Sequence, residues 1–314
     1  MANRRHQIFR SVSSPLADDT ETNGGETKVG CVQNYSPCSC EVDLYGKHVS
    51  CHFVSVESIR DVFHAVNDPE IYDLFNEFAN VNISLPLDFL GNTSVTDAIY
   101  FYGYTYYPNL VIDPLAFRAS QNSLTKFSVD SFDFGLQKDF NFLNGFNKLE
   151  ELDFVRIFNF TAFQYLPPLP SLQKLQVVIC PEINQIAFPD FSPARLKNLE
   201  FLYNELSDQT ADKIVANLAV STSADSLNAL DLHSNSLTRI PSQVGSAFPK
   251  LKSVDLRNNN ILHIPSASFT FAYPLKSLNL ITNGLKTIES GAFVGINRLL
   301  SEQERIIIRV LLFL

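Results

Sequence analysis

The chain has 314 residues, room for one large core or two modest domains, and its 45% hydrophobic and 18% charged content is that of an ordinary folded protein. A net charge of −9 and a pI of about 5.1 argue against nucleic acid and anionic membrane as main partners. No stretch approaches the roughly 18 to 20 apolar residues of a membrane span.

Residues 1–30 are polar, with Ser11-Val12-Ser13-Ser14-Pro15 and Asn23-Gly24-Gly25, and read as a disordered leader. They include Arg4 and Arg5 but no apolar run of a secretory signal. Cys31, Cys38, Cys40 and Cys51 then fall within 21 residues, and Cys180 is the one cysteine after them. A clustered even set reads as two disulfides, for which the sequence alone permits three pairings. The alternative is a zinc site built from Cys38, Cys40, His48 and Cys51, although no C-x-x-C pair is present. Disulfides imply an oxidising compartment. With no signal legible, the expectation is that the true N-terminus is not represented in this sequence.

Val56, Ile59, Val62, Phe63 and Val66 have helical spacing, with Ser55 or Ser58 as the cap and Asp68-Pro69 as the stop. An irregular coil of chain follows over residues 71–86, and a second starts near Thr96. Ile99 and Phe101 are its expected inward residues, which turns Tyr100 and Tyr102 outward. Ala98 and Tyr100 fit the inward slots almost as well, and a one-residue slip swaps the faces.

From Leu124 a frame holds. Leu124, Phe127 and Val129 are followed by Leu149, Leu152 and Phe154, then by Leu172, Leu175, Val177 and Cys180. Leu196, Leu199, Phe201, Asn204 and Leu206 come next. The clearest copies are Leu227, Leu230, Leu232, Asn235 and Leu237; Leu251, Val254, Leu256, Asn259 and Ile261; and Leu275, Leu278, Leu280, Asn283 and Leu285. Their starts are 24 residues apart both times. This is L-x-x-L-x-L-x-x-N-x-L at a period between about 20 and 29 residues, the leucine-rich repeat. The expected fold is an α/β repeat: a curved leucine-rich-repeat solenoid with parallel strands on its concave face and a cysteine-rich N-terminal cap. The inward residues stack coil on coil, and the residues between them point outward because a strand has a period of two. The Asn is expected to turn the chain out of the strand and to satisfy buried backbone groups. Cys180 occupies that slot and reads as a buried structural thiol.

The step from Leu196 to Leu227 is 31 residues, and the surplus over Ser207 to Ala219 predicts a helix capped by Asp208 with Ile214, Val215 and Leu218 as its apolar stripe. Return segments carry a small-Phe pair at Ala116-Phe117, Ala187-Phe188, Ala247-Phe248, Ser268-Phe269 and Ala292-Phe293, read as a stacked spine. Leu299 opens a further coil that fails at Glu302 and Glu304. The domains expected are a leader over 1–30, a cap over 31–68, a solenoid of about nine coils over 69–298, and an irregular apolar tail or truncated repeat over 299–314.

The clustered cysteines before the repeats resemble the N-terminal cap of extracellular leucine-rich-repeat proteins. In that family the first cysteine pairs with the third and the second with the fourth, which implies Cys31–Cys40 and Cys38–Cys51. Here six residues separate Cys31 and Cys38, where the family has two or three. A narrower likeness rests on Pro37-Cys38-Ser39-Cys40, Cys51, the Ser58 to Asn67 helix, Ile99-Tyr100-Phe101-Tyr102, Asp113-Pro114-Leu115-Ala116-Phe117 and Leu251-Lys252-Ser253-Val254-Asp255-Leu256. In these features the chain resembles the arthropod family of the Oplophorus-luciferin 2-monooxygenase non-catalytic subunit, over about Cys31 to Gly295. The resemblance implies a secreted solenoid without catalytic residues that accompanies another subunit.

No catalytic, cofactor or metal motif stands out: G-x-S-x-G, H-E-x-x-H and a phosphate loop are all absent. The chain is therefore expected to be non-enzymatic, with no cofactor, and to bind a protein partner through the concave face. One outward column reads Asp153, Gln176, Glu200, Asp231, Asp255 and Asn279, and its neighbour Val155, Val178, Leu202, His233, Arg257 and Ile281. Candidate contact residues are Asp153, Glu200, Tyr203, Asp231, His233, Asp255, Arg257 and Asn279, with His233 expected to be exposed. Asn34, Asn82, Asn92 and Asn159 stand in N-x-S/T sequons and are glycosylation candidates. The expected location is extracellular, and the alternative is an intracellular adaptor with free cysteines.

Overall fold

The computed structural model describes residues 29–78, 82–104, 107–185, 187–192, 194–270, 275–293 and 307–309. Apart from residues 29–30 and 307–309, the expected leader and tail lie outside the described residues.

A short antiparallel start, β1 (Val29–Gly30) on β2 (Ser39–Val42) on β3 (Lys47–His52), feeds a long parallel ladder. That ladder runs from β3 through β4 (Glu70–Phe78), β6 (Ser94–Gly103), β8 (Lys126–Asp133), β9 (Glu151–Phe158), β10 (Lys174–Val178) and β11 (Asn198–Leu202). It continues through β12 (Ala229–Asp231), β13 (Ser253–Asp255) and β15 (Ser277–Asn279) to β17 (Ile307–Arg309). Return segments add two smaller parallel pairings: β5 (Asn82–Leu85) with β7 (Asn109–Ile112), and β14 (His263–Ile264) with β16 (Thr287–Ile288). Each coil thus contributes one strand to a common sheet, and the leucine frame aligns in register: Leu152, Leu175, Leu199, Leu230, Val254 and Leu278 are successive partners. All are buried, and burying each such side chain contributes roughly 1.5–3 kcal/mol.

Ile99 and Phe101 point inward, paired with Leu74 and Asn76 on one side and Phe127 and Val129 on the other, so Tyr100 and Tyr102 line the outer face. The register is fixed by Phe101, whose ring packs against Phe78, Phe117 and Phe127 at 5.4–5.8 Å between centroids.

Seven coils carry a left-handed residue at the same place, inside β8 and β9 and just past the end of the later strands. Ser131, Arg156, Ile179, Tyr203, Ser234, Asn258 and Thr282 have φ between 52° and 67°. None is glycine, and each immediately precedes the residue in the Asn slot. The turn is therefore made one residue before the asparagine, which the sequence pattern had credited with it. The asparagine fastens the turn. Asn204 Nδ2 donates to Val177 O (2.8 Å), and its Oδ1 accepts from the Cys180 N–H (2.7 Å). Asn235, Asn259 and Asn283 repeat this, donating to Phe201 O, Leu232 O and Leu256 O of the preceding coil.

The earlier coils carry Phe132, Ile157 and Cys180 in the same slot. There an apolar side chain goes inward and leaves the backbone free to pair onward, so Phe132↔Ile157 and Asp133↔Phe158 continue the ladder. Strands shorten along the array: β8 and β9, with Phe132 and Ile157 in the slot, have eight residues, β10 and β11 five, and β12, β13 and β15 three. In the earlier coils rings replace the asparagines. Phe78, Phe101, Phe127, Phe142, Phe140, Phe154, Phe163, Phe188 and Phe201 touch in an unbroken series with centroids 5.2–6.2 Å apart. Of the five return-segment phenylalanines expected to form a spine, this series takes in Phe188, and Phe117 packs beside it on Phe101 and Phe127; strand phenylalanines supply most of the series. The return-segment pair Phe269 and Phe293 stacks separately at 5.6 Å.

Two helices interrupt the return segments. α1 (Val56–Val66) is capped by Ser55, whose Oγ accepts from the Ser58 N–H (3.1 Å), and ends at Asn67 in the left-handed conformation. α2 (Asp208–Ala219) buries Ile214, Val215 and Leu218 as its pattern requires. Its cap is Ser207, accepting from the Thr210 N–H (3.2 Å), in place of the expected Asp208. Asp208 reaches into the next coil instead, accepting from the Thr238 N–H at 2.9 Å.

The cap is closed by disulfides Cys31–Cys40 and Cys38–Cys51. The pairing is the one the family resemblance implied, and it removes Cys38, Cys40 and Cys51 from the alternative zinc set. His48 instead sits between Asp43 (2.9 Å) and Asp73 (2.8 Å). Beneath the disulfides, buried Asp68 accepts from Tyr35 Oη (3.0 Å) and Lys47 Nζ (2.5 Å). Cys180 is a free, fully buried thiol, and burial pushes its pKa far up.

Candidate protein-binding face

Two outward rows of the ladder form the middle of the surface, beside a third through Lys126, Glu151, Lys174 and Asn198. The first runs Phe75, Tyr100, Ser128, Asp153, Gln176, Glu200, Asp231, Asp255 and Asn279, each the direct register partner of the next. The second runs Glu77, Tyr102, Asp130, Val155, Val178 and Leu202. A parallel sheet presents both rows on a stiff, preformed surface.

The later coils make the surface acidic. Glu200, Asp231 and Asp255 lie side by side, and like charges directly opposite are destabilising. Burial raises the pKa of Glu200, and Asp231 and Asp153 raise it further against the pull of Lys174 and Gln176. Burial also raises Asp255, with Asp231 adding to it. Polar neighbours hold these carboxylates in place: Gln176 Nε2 donates to Glu200 (2.6 Å), Asn279 Nδ2 to Asp255 (3.1 Å), and Arg257 Nε lies 3.4 Å from Asp255.

His233 is buried at 8% exposure, which corrects the expectation that it is exposed. Its Nδ1 lies 2.7 Å from Asp231 Oδ1, and the Tyr203 ring stands edge-on to it at 5.4 Å. Tyr203 is itself the left-handed turn residue of its coil, so the turn puts the ring there. Asp231, His233 and Asp255 place ligand-type atoms within 4.8 Å of one another. Asp153 belongs to the outward row yet is only 6% exposed, because Lys126 and the long side chains around it cover it.

The earlier coils make the surface aromatic. Ser128 is smaller than its neighbours in the row and leaves a hollow of about 190 Å³ walled by Phe75, Tyr100, Tyr102, Asp153, Val155 and Gln176. Lys126 lies over the Tyr100 ring at 5.5 Å and 3.5 Å from Asp153. This aromatic part was left out of the candidate contact residues. The signal for it was Tyr100 and Tyr102 on alternate positions of one strand, obscured by the open register.

A family model described as "Leucine rich repeat" matches residues 249–301. The fold is a leucine-rich-repeat solenoid. No curated protein matches this chain. Among solved structures it is similar to a chain of the Drosophila Toll–Spatzle complex, at 12% identity and a TM-score of 0.29. The likeness covers 88% of this chain and 52% of that one, so the chain spans about half of that chain's length. Among the described residues, no helix is long and apolar enough to cross a membrane. All four sequon asparagines are exposed. Asn159 differs from the rest in that its Nδ2 donates to both oxygens of Asp133 at 2.9 Å.

Proposed function

We propose that the protein is a secreted, non-enzymatic binding module that engages a basic protein partner through the concave strand face. The observation that carries this reading is the row Glu200, Asp231 and Asp255, like charges in direct register whose pKa values burial raises where a shift is resolved. Asp231 and Asp255 each accept the N–H two residues on, as uncharged Asn279 also does, so the fold needs an acceptor there but not the charge, and a cationic partner relieves the charge. Secretion is supported by the paired disulfides of the cap, which persist in oxidising compartments. The resemblance to the non-catalytic luciferase subunit adds a companion-subunit role to this reading.

The test is partner capture on cell surfaces and in extracellular fluid with protein made in a secretory-pathway host. Asp231→Lys with Asp255→Lys abolishes capture, while Lys213→Glu on the exposed side of α2 leaves it intact. Equal capture by all three proteins overturns the concave-face reading.

A further inference from the structure

We infer that the hollow beside Ser128 is a receptor for a single arginine side chain of that protein partner, an inference that rests on the proposed concave-face function and names its anchor. The hollow measures about 190 Å³, below the roughly 300 Å³ at which pockets for drug-sized ligands begin, so it suits one side chain. Its walls are π faces: Phe75, Tyr100 and Tyr102 line it, and all three are partly exposed.

Acceptors are in excess around it. Arg156 is engaged by Asp130 (2.5 Å) and donates to Ser131 Oγ (2.8 Å). Lys126 is shared between Glu151 (3.3 Å) and Asp153 (3.5 Å). Lys174, 3.9 Å from Glu200, also acts on Asp153, so with Glu200 counted four carboxylates face three cations. The oxygen left over is identifiable: Asp153 Oδ1 is buried and has no hydrogen-bond partner. An orphaned buried carboxylate oxygen costs its full desolvation penalty until a donor arrives. Gln176 lends its amide N–H to Glu200, so its carbonyl oxygen is a second acceptor at the rim.

The occupant must bring N–H donors, positive charge and a flat face. A guanidinium meets all three requirements: it carries five donors in a plane and stacks on aromatic rings. An ammonium offers a point charge without the plane. An anion meets only Lys126, which two carboxylates and the Tyr100 ring already surround. An apolar side chain leaves Asp153 Oδ1 unpaired.

The experiment is an NMR titration of ¹³C-tyrosine-labelled protein with three capped pentapeptides, Gly-Gly-X-Gly-Gly, in which X is arginine, citrulline or glutamate. The Tyr100 and Tyr102 signals are assigned from Tyr→Phe variants. The expected result is a saturable shift of both signals with the arginine peptide at a Kd on the order of 1 mM, and binding about tenfold weaker for citrulline. Asp153→Asn, nearly isosteric, removes that discrimination, and Ser128→Tyr, which fills the hollow, removes the shifts. Equal binding of arginine and citrulline, preference for glutamate, or no saturable shift overturns the inference. Asp231→Lys with Asp255→Lys leaves the arginine titration unchanged. Failure of the titration with partner capture intact therefore sinks the arginine site alone, and failure of capture sinks the broader reading.

Discussion

Asn259 shows what one residue does in this fold. Its amide donates to Leu232 O and Leu256 O, both at 3.0 Å, and accepts from the Leu237 N–H at 3.1 Å. Asn259→Ala strands buried backbone groups in two coils, at about 1–3 kcal/mol for each group left unsatisfied. We expect a loss of about 3 kcal/mol or more in urea denaturation, against little change for exposed Asn260→Ala. Thr282 sits beside the equivalent asparagine at φ 58°, exposed and β-branched in a conformation such residues avoid. Thr282→Asn should stabilise the fold by up to about 1 kcal/mol, read from the same denaturation midpoint. Cys180 donates weakly to Val178 O from a site with no solvent access. Native protein should resist alkylation entirely; after unfolding one thiol should react, and after reduction five. A thiol reactive in the native state would contradict its place in the core.

At the scale of the element, the inward leucine frame was legible because burial enforces it: a residue that departs from it exposes apolar surface or buries a charge. The outward rows follow from the frame by alternation. What the sequence hid is how far a strand runs beyond the frame, since that depends on whether the slot side chain is Phe132, Ile157 or Asn235 and on what the neighbouring coil then pairs with. It also hid the burial of His233 and Asp153, which is set by Tyr203 and Lys126 from other positions. The acidic row makes a prediction of its own. Asp255→Asn removes a charge that burial and Asp231 both disfavour; its Oδ1 still accepts the Arg257 N–H, and what is lost is the hydrogen bond from Asn279 Nδ2, whose own Oδ1 is held by the Ile281 N–H. Stability should rise by up to about 1 kcal/mol in thermal or urea unfolding while partner capture weakens. Loss of stability would mean that the row serves the fold itself.

Across the whole molecule the ionisable groups divide by sign. Burial raises the pKa of Asp73, Asp130, Asp153, Glu200 and Asp255. Their charged forms penalise the fold above the folded pKa, and the penalty is relieved as pH falls toward the ordinary carboxylate value of about 4. His48 acts in the same direction: burial opposes its charge, but Asp43 and Asp73 outweigh it and raise its pKa. Its contribution is present below the unfolded value of about 6.5 and is lost as pH rises through the folded pKa. Asp68 and Asp212 have lowered pKa values, since hydrogen bonds from Lys47 and Tyr35, and from Arg239 and Ser242, outweigh their burial. Their contribution is lost only as pH falls through the folded pKa. The melting temperature should therefore peak at mildly acidic pH, between about 4 and 6, and decline toward neutrality. A profile flat from pH 5 to 8 would show that water reaches the raised carboxylates freely.

The asparagine fasteners all point one way. Asn235 guards the Asn204 and Leu206 N–H groups, Asn259 guards Leu237, and Asn283 guards Ile261, so each coil's protection is supplied by the coil that follows it. Such an array has a polarity that its inward leucines lack. When a later coil opens, the amides its asparagine covers in the coil before it lose that cover, whereas opening an earlier coil takes no asparagine from a later one, only carbonyls such as Asn228 O and Leu237 O. Amide hydrogen exchange should run as a gradient through these coils, with Ile261 exchanging before Leu237 and Leu237 before Leu206, and opening should travel from the later repeats toward the phenylalanine-packed ones.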